Sequence, residues 1–179
     1  MTLGDSKTAS GQWQPTLLNE LHRVSGERWD WYNGGVSGAT VASASASIAT
    51  ILSVIPNTSD PHVDVLCNWG ANDVGALPAE ATWKANYLAI IDAIVAKWPQ
   101  AKVRLSRPWR RNYGSQCNTI AGWIADIVAA RPGVASIGDD ERAWLEHGDD
   151  GATRTSDGIH YNDAGNPEKA AQALATMGY

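Results

Sequence analysis

The sequence contains no phenylalanine, only two cysteines and four histidines, and no apolar run that approaches the roughly 20 residues of a membrane-spanning helix. It therefore predicts no membrane span. The first ten residues, MTLGDSKTAS, lack the apolar stretch of a secretory signal, so we expect a soluble domain whose compartment stays open. Cys67 and Cys117 are too few for a disulfide scaffold and have no zinc-like spacing. We expect two buried thiols, with a single bridge as the alternative.

Basic residues are also scarce, with 14 lysines and arginines against 19 aspartates and glutamates and a formal net charge of -5. A protein that binds nucleic acid through its phosphates usually has the opposite balance, so we expect no nucleic-acid partner. The 179 residues are 44% hydrophobic and 18% charged, which is typical of one globular domain of ordinary size. We therefore interpret residues 1–179 as a single domain. The sequence does not predict its oligomeric state.

Predicted strands and helices alternate along the chain, which is typical of a parallel β-sheet with helices on both faces. Short apolar runs predict four strands, at 29–32, 63–67, 102–105 and 134–137. Apolar residues at helical spacing predict helices at 10–24, 41–55, 77–98, around 120–128 and from 166 to 178. A strand before Gly4 would be only a three-residue stub. Either that strand is short or the chain is a fragment of a larger protein.

Four short polar segments lie where the predicted fold would bind a ligand, since ligands of open α/β sheets lie beyond the carboxyl ends of the strands. They are GDS at 4–6, GGVSG at 34–38, GAND at 70–73 and DGIH at 157–160. Together they contain a serine hydroxyl, a histidine with a carboxylate three residues before it, and donors of hydrogen bonds. A serine becomes a nucleophile when an imidazole takes its proton, and a carboxylate fixes the tautomer of that imidazole. The set therefore predicts acyl transfer from a serine.

In these four segments and their order, the sequence resembles the SGNH hydrolases, also called GDSL-type esterases. The resemblance implies Ser6 as nucleophile, His160 as general base and Asp157 as the carboxylate that orients the base. It also implies an oxyanion hole formed by the backbone N–H groups of Ser6 and Gly38 and by the side-chain amide of Asn72. We therefore expect a serine ester hydrolase that works through a catalytic triad and an acyl-enzyme.

The resemblance also implies a fold, and a reaction that needs no cofactor. The fold is a three-layer α/β/α sandwich whose central parallel sheet has about five strands in flavodoxin-like order. Neither a metal nor an organic cofactor is implied. The sequence departs from the family at its first segment, which is GDSK after a stub where the family often has GDSL after a full strand.

The expected substrate is a small molecule or an acetylated carbohydrate, from which an acetyl or other short acyl group is removed. Arg107, Trp109 and Arg110 follow the predicted strand at 102–105, where we expect them to line the cleft and contact a polar substrate. A lysophospholipase-like or general small-ester hydrolase is the alternative among enzymes. In another class, the domain is a non-catalytic carbohydrate- or nucleotide-binding module, in which Ser6 is only a turn or cap residue.

Three further alternatives concern charged residues. His147 is a second candidate base, although no carboxylate lies three residues before it. A metal site could form from Asp157 and His160 with Asp149 or Asp150. The basic stretch at 104–111 and the acidic stretch at 139–150 are interpreted as solvated loops or as partners of each other.

Overall fold

The computed structural model describes residues 1–146 and 152–179 of the chain. Its centre is a five-stranded sheet in which neighbouring strands pair in parallel. The strands are β1 Thr2–Gly4, β2 Asn33–Gly35, β3 Asp64–Asn68, β4 Lys102–Arg107 and β5 Ala135–Asp140. Their order across the sheet is β2-β1-β3-β4-β5, which confirms the flavodoxin-like arrangement.

Helices cover both faces of this sheet. In the described ranges they are α1 Ser6–Ala9, α2 Gln14–Ser25, α3 Val41–Ser53, α4 Glu80–Lys97, α5 Gly114–Ala130, α6 Glu141–Leu145 and α7 Gly165–Thr176. Helices α3, α4 and α5 pack in series on one face, and α2 packs against α7 on the other. This arrangement confirms the three-layer α/β/α sandwich.

Helix α3 shows how the sequence directs the packing. Its buried residues Val41, Ala44, Ile48 and Leu52 are three or four positions apart, so they form one apolar stripe. Thr40 caps the helix: its side chain accepts a hydrogen bond from the third residue of the first turn, whose side chain in turn accepts one from the Thr40 backbone. The loop between β2 and α3 therefore ends at a fixed position.

The expected strand at 29–32 is wrong, because the second strand is Asn33–Gly35. A glycine inside a strand often marks a place with no room for a side chain, and both glycines of β2 do so. A Cβ on Gly34 would lie 2.5 Å from Leu3 Cδ2, and a Cβ on Gly35 would lie 2.3 Å from the backbone nitrogen of Ala9. The glycines that look like a strand end in sequence are therefore needed for β2 to pack against β1 and α1.

The three-residue strand β1 lies inside the sheet, paired with β2 on one side and β3 on the other. Cys67 and Cys117 are buried and free, as expected. Most tryptophans belong to the core: the buried ones are Trp13, Trp69, Trp83, Trp98, Trp109, Trp123 and Trp144. No helix within residues 1–146 and 152–179 is long and apolar enough to cross a membrane.

Candidate active site

The segments GDS, GGVSG and GAND meet at one edge of the sheet, because β1, β2 and β3 are neighbours and run in the same direction. Backbone hydrogen bonds join the three loops. The N–H of Val36 donates to Gly4 O at 2.9 Å, and the N–H of Asp5 donates to Asn68 O at 3.2 Å. This edge is where an open α/β sheet holds its ligand.

Gly4 and Asp5 determine where Ser6 lies. A Cβ on Gly4 would lie 2.3 Å from Thr8 Oγ1, so a glycine is required where β1 turns into α1. Asp5 caps α1 by accepting a hydrogen bond from the N–H of Lys7 at 3.0 Å. Ser6 is the first residue of this helix, where backbone N–H groups have no partner within the helix.

A tight turn carries Asp157 and His160. Asp157 Oδ1 accepts hydrogen bonds from the backbone N–H groups of Ile159 and His160, at 2.9 and 2.8 Å. Gly158 has a φ of 84°, in the left-handed region that favours glycine. The N–H of Ser156 donates to His160 O at 2.9 Å and closes the turn. The three-residue spacing of Asp157 and His160 in DGIH is therefore that of a turn, which the Asp157 carboxylate stabilises.

Ser6, His160 and Asp157 form a continuous hydrogen-bonded chain. Ser6 Oγ lies 2.8 Å from His160 Nε2, and His160 Nδ1 lies 2.7 Å from Asp157 Oδ2. Partial burial raises the pKa of Asp157, but hydrogen bonds from His160 and Ile159 outweigh it and lower this pKa to about 2. The carboxylate therefore stays charged, which favours an imidazole tautomer that carries its proton on Nδ1 and accepts at Nε2.

Gly38 and Asn72 lie in two loops that are bonded to each other. Gly38 is exposed and has a φ of 74°, and its next residue, Ala39, accepts a hydrogen bond from Asn72 Nδ2 at 3.0 Å. The carboxylate of Asp73 accepts from the N–H of Val41 at 3.2 Å, which joins GAND to the start of α3. Because Nδ2 of an amide has two hydrogens, Asn72 has a second donor to offer.

Of the three residues expected to contact substrate, one is buried in the core, one lines a different groove and one lies beside GAND. Trp109 is 1% exposed and belongs to the core, so its indole offers no surface to a ligand and that expectation is corrected. Arg107 pairs with Asp140 at 3.2 Å and lines a groove between α5 and α6. Arg110 Nη1 donates to Ala71 O at 3.3 Å, which places it beside GAND.

The other histidines have different surroundings. His22 Nε2 accepts a hydrogen bond at 2.9 Å from a backbone N–H of the loop that follows α2. His62 is exposed just before β3 begins, at the opposite edge of the sheet. His147, Asp149 and Asp150 lie outside the described residues. Within the described part of the chain, no group of three or more histidine, cysteine, aspartate or glutamate side chains is placed to hold a metal ion.

Sequence reasoning missed a group of buried charges beside GDS. Asp139 and Glu141, expected in a solvated stretch, are 5% and 0% exposed. They pair with Lys7 and Lys169, which are equally buried, because a charge inside a protein needs a partner. One signal was available: helical spacing places Lys169 on the same face of α7 as the buried Ala173.

Solved structures share this fold. A carbohydrate esterase of family 3 from Talaromyces cellulolyticus has a TM-score of 0.76 at 19% identity, over 99% of this chain and 94% of that one. TesA has a TM-score of 0.78 at 21% identity, over 98% and 96%. A mutant acetyl esterase with acetate ion has a TM-score of 0.75 at 18% identity, over 99% and 94%. At these identities the likeness is one of fold. No curated protein matches the chain.

The sequence itself matches a family. The family model of GDSL-like lipases and acylhydrolases matches residues 2–166, from β1 to the beginning of α7. The matched span includes all four segments, GDS, GGVSG, GAND and DGIH. The chain therefore belongs to the GDSL-like lipase/acylhydrolase family.

Proposed function

We propose that this protein is a serine esterase that removes acetyl or other short acyl groups from a carbohydrate, with Ser6, His160 and Asp157 as its catalytic triad. Family membership makes ester hydrolysis its class of reaction. The observation that carries the proposal is the hydrogen-bonded chain from Asp157 Oδ2 through the imidazole to Ser6 Oγ. A pure binding module does not need a serine joined to a histidine and a carboxylate in this way.

The proposed residues account for each step of ester hydrolysis. Ser6 Oγ attacks the ester carbonyl as His160 Nε2 takes its proton, and Asp157 stabilises the resulting imidazolium. The N–H groups of Ser6 and Gly38 and the amide of Asn72 hold the oxyanion of the tetrahedral intermediate. His160 then gives its proton to the leaving alcohol, which leaves an acyl group on Ser6. A water molecule, deprotonated by the same imidazole, hydrolyses this acyl-serine and restores the enzyme.

The surroundings of His160 favour a polar leaving alcohol. A groove of about 660 Å³ adjoins the imidazole. The polar side chains that line it include Ser10, Gln12, Ser156, Asn162 and Asp163. We place the alcohol half of the ester in this groove, because its leaving oxygen takes a proton from the imidazole. Hydroxyl, amide and carboxylate groups suit an alcohol with many hydroxyls, such as a sugar.

The position of the aromatic surface favours a short acyl group. A cavity of about 330 Å³ is lined by Trp29, Trp31 and Tyr32 together with Met1 and Asp64. These last two residues lie at the amino ends of β1 and β3, so the cavity is at the opposite edge of the sheet from Ser6. A long acyl chain bound there would not reach the nucleophile. The names of two structural neighbours, a carbohydrate esterase and an acetyl esterase, support the same substrate class.

The proposal predicts that acyl length and alcohol polarity both affect the rate. We expect kcat/KM for p-nitrophenyl acetate to exceed that for the octanoate by about tenfold or more. We also expect faster acetate release from an acetylated oligosaccharide than from ethyl acetate, measured by pH-stat with Ser6→Ala as blank. A preference for octanoate would favour the lysophospholipase-like alternative. Equal rates for parent and Ser6→Ala on every ester would favour a non-catalytic binding module.

Acidification should remove activity because one proton binds to the proposed histidine base. With its pKa lowered to about 2, Asp157 stays ionised at about pH 4, whereas histidine is the side chain that ordinarily takes a proton between pH 5 and 8. A carboxyl whose pKa is lowered by folding stabilises the fold above its unfolded pKa and loses that effect only as the pH falls toward 2. We therefore expect log kcat/KM to fall with a slope of one down to about pH 4, while circular dichroism stays constant. A slope of two would implicate Asp157, and a flat profile would exclude a histidine base.

A further inference from the structure

One buried carboxylate contacts four separate segments of the chain. Glu141, the first residue of α6, is 0% exposed. Its Oε2 accepts hydrogen bonds from Lys7 Nζ and, at 3.0 Å, from the backbone N–H of Trp109. Its Oε1 accepts from the hydroxyl of Tyr161 and, at 3.2 Å, from Lys169 Nζ. Every lone-pair direction of this carboxylate is thus engaged by a group of a different segment.

Two of these four contacts come from the residues that directly follow the proposed nucleophile and base. Lys7 follows Ser6 in α1, and Tyr161 follows His160 at the end of its turn. We infer that Glu141 is a positioning residue of the ester hydrolysis proposed above, because it holds the Ser6 and His160 segments at the spacing that proton transfer requires. The inference rests on the proposed roles of those two residues.

The His160 turn needs such an anchor. The side chains of Asp157 and His160 are 50% and 41% exposed, so burial contributes little to their placement. Tyr161 in contrast is 5% exposed, packs against the Trp144 ring at 5.6 Å between centroids, and accepts a hydrogen bond from Asn68 Nδ2 at 3.3 Å. The hydrogen bond from its hydroxyl to Glu141 therefore joins the turn to the interior.

The contact between Lys7 and Glu141 holds the segment of Ser6. Lys7 is 1% exposed, and its ammonium pairs with Glu141 while its backbone N–H bonds to the cap residue Asp5. A buried ammonium that left the carboxylate would lose its strongest compensation for desolvation, so alternative positions of α1 are costly. Helix α1 has just four residues and needs this support, since a single turn is not stable by itself.

The Glu141 carboxylate is charged throughout the pH range in which an esterase is assayed. Burial raises the pKa of Glu141, but Lys7, Lys169 and the Tyr161 hydroxyl outweigh it and lower this pKa to about 2. The carboxylate therefore contributes stability that is present above its unfolded pKa and is lost only as the pH falls toward 2. The spacing of Ser6 and His160 should not change with pH across the range in which the enzyme is assayed.

Tyr161→Phe is the sharpest test, because it removes one hydroxyl and keeps the ring. A displacement of about 1 Å between reacting groups can cost about 10²-fold in rate, so we expect kcat for p-nitrophenyl acetate to fall about tenfold or more while KM changes less than about twofold. Glu141→Gln should lower kcat further, by about 10²-fold. It also leaves two buried lysines with less compensating charge, so Tyr161→Phe remains the main variant.

Ser106→Ala is the matched control. Ser106 is 3% exposed, and its hydroxyl donates to Asp139 Oδ1 at 2.5 Å in the same buried group, but it does not contact Glu141. Both variants lose one buried hydroxyl that donates to a carboxylate, and Tyr161→Phe also loses the hydrogen bond from Asn68, so we expect the melting temperature to fall in both and somewhat more in Tyr161→Phe. Only Tyr161→Phe should lower kcat and slow the covalent labelling of Ser6 by phenylmethanesulfonyl fluoride, followed by mass spectrometry.

The outcomes separate this inference from the proposed function. A parent with Ser6-dependent hydrolysis and a Tyr161→Phe variant with the parent's kcat and labelling rate would overturn the positioning role alone. Equal losses of kcat in Tyr161→Phe and Ser106→Ala would also overturn it, because the effect would then follow general stability. A parent whose Ser6 neither turns over esters nor is labelled would overturn both the proposed function and the role of Glu141.

Discussion

Ser6→Ala is expected to lower kcat for p-nitrophenyl acetate by on the order of 10³-fold or more. The variant removes the hydroxyl that lies 2.8 Å from His160 Nε2, and no methyl group can attack an ester. The backbone N–H groups of residue 6 and Gly38 remain, and so does the side-chain amide of Asn72. The loss should therefore appear in kcat, with KM much less affected, because the proposed oxyanion donors are still present.

The fold should tolerate this change. Ser6 is half-buried and the His160 side chain is 41% exposed, so water can replace the lost hydroxyl at Nε2. Thermal melts by circular dichroism check this expectation. Ser53→Ala, which removes an exposed hydroxyl from α3, is the control for a serine without a proposed role. If folded Ser6→Ala turned over the ester as fast as Ser53→Ala, Ser6 would not be the nucleophile.

Much of the fold could be predicted from the sequence because it depends on local patterns. Apolar residues at helical spacing predict α3 at 41–55, and the structure has it at Val41–Ser53. The run at 63–67 similarly predicts β3, found at Asp64–Asn68. Strand β2 was misplaced because two of its three residues are glycines, whose role is to allow close packing against Leu3 and Ala9. Packing of that kind leaves no periodic signal.

In the candidate site too, contacts between residues close in sequence could be predicted, and contacts between distant residues could not. The spacing of Asp157 and His160 could be interpreted from sequence because the turn that joins them is closed by hydrogen bonds over two or three residues. The contact between Lys7 and Glu141 spans 134 positions, so a sequence pattern gives no indication of it. Trp109 was expected at the cleft because it follows a strand, but its burial depends on helices elsewhere in the chain.

Asn72→Ala is expected to lower kcat for the same ester by about 10²- to 10³-fold, which is the usual cost of losing one oxyanion donor. The amide donates to Ala39 O in the free protein, and its proposed contribution to catalysis arises only when the carbonyl oxygen of the ester becomes charged. Such an interaction is stronger in the transition state than with the bound ester. We therefore expect kcat and kcat/KM to fall by similar factors, with little change in KM.

Loss of the amide also breaks a loop contact, which must be separated from catalysis. Asn72 Nδ2 donates to Ala39 O at 3.0 Å, one residue from Gly38, so the alanine variant could displace a second oxyanion donor. Asn72→Asp keeps the size of the side chain but replaces the donor by a charged acceptor, which repels an oxyanion. We expect its kcat to be at most that of Asn72→Ala. Parent-like turnover in either folded variant would exclude the amide from the oxyanion hole.

The anchor of GAND provides the control for that loop displacement. Asp73→Ala removes the oxygens that accept from the N–H of Val41, and so loosens the joint between GAND and α3 without changing the backbone N–H of Gly38 or the amide of Asn72. Burial raises the pKa of Asp73, so removing its charge in the interior should not unfold the loop. If Asp73→Ala retains most of the parent's kcat while Asn72→Ala does not, the loss in Asn72→Ala results from the missing donor and not from movement of the loop.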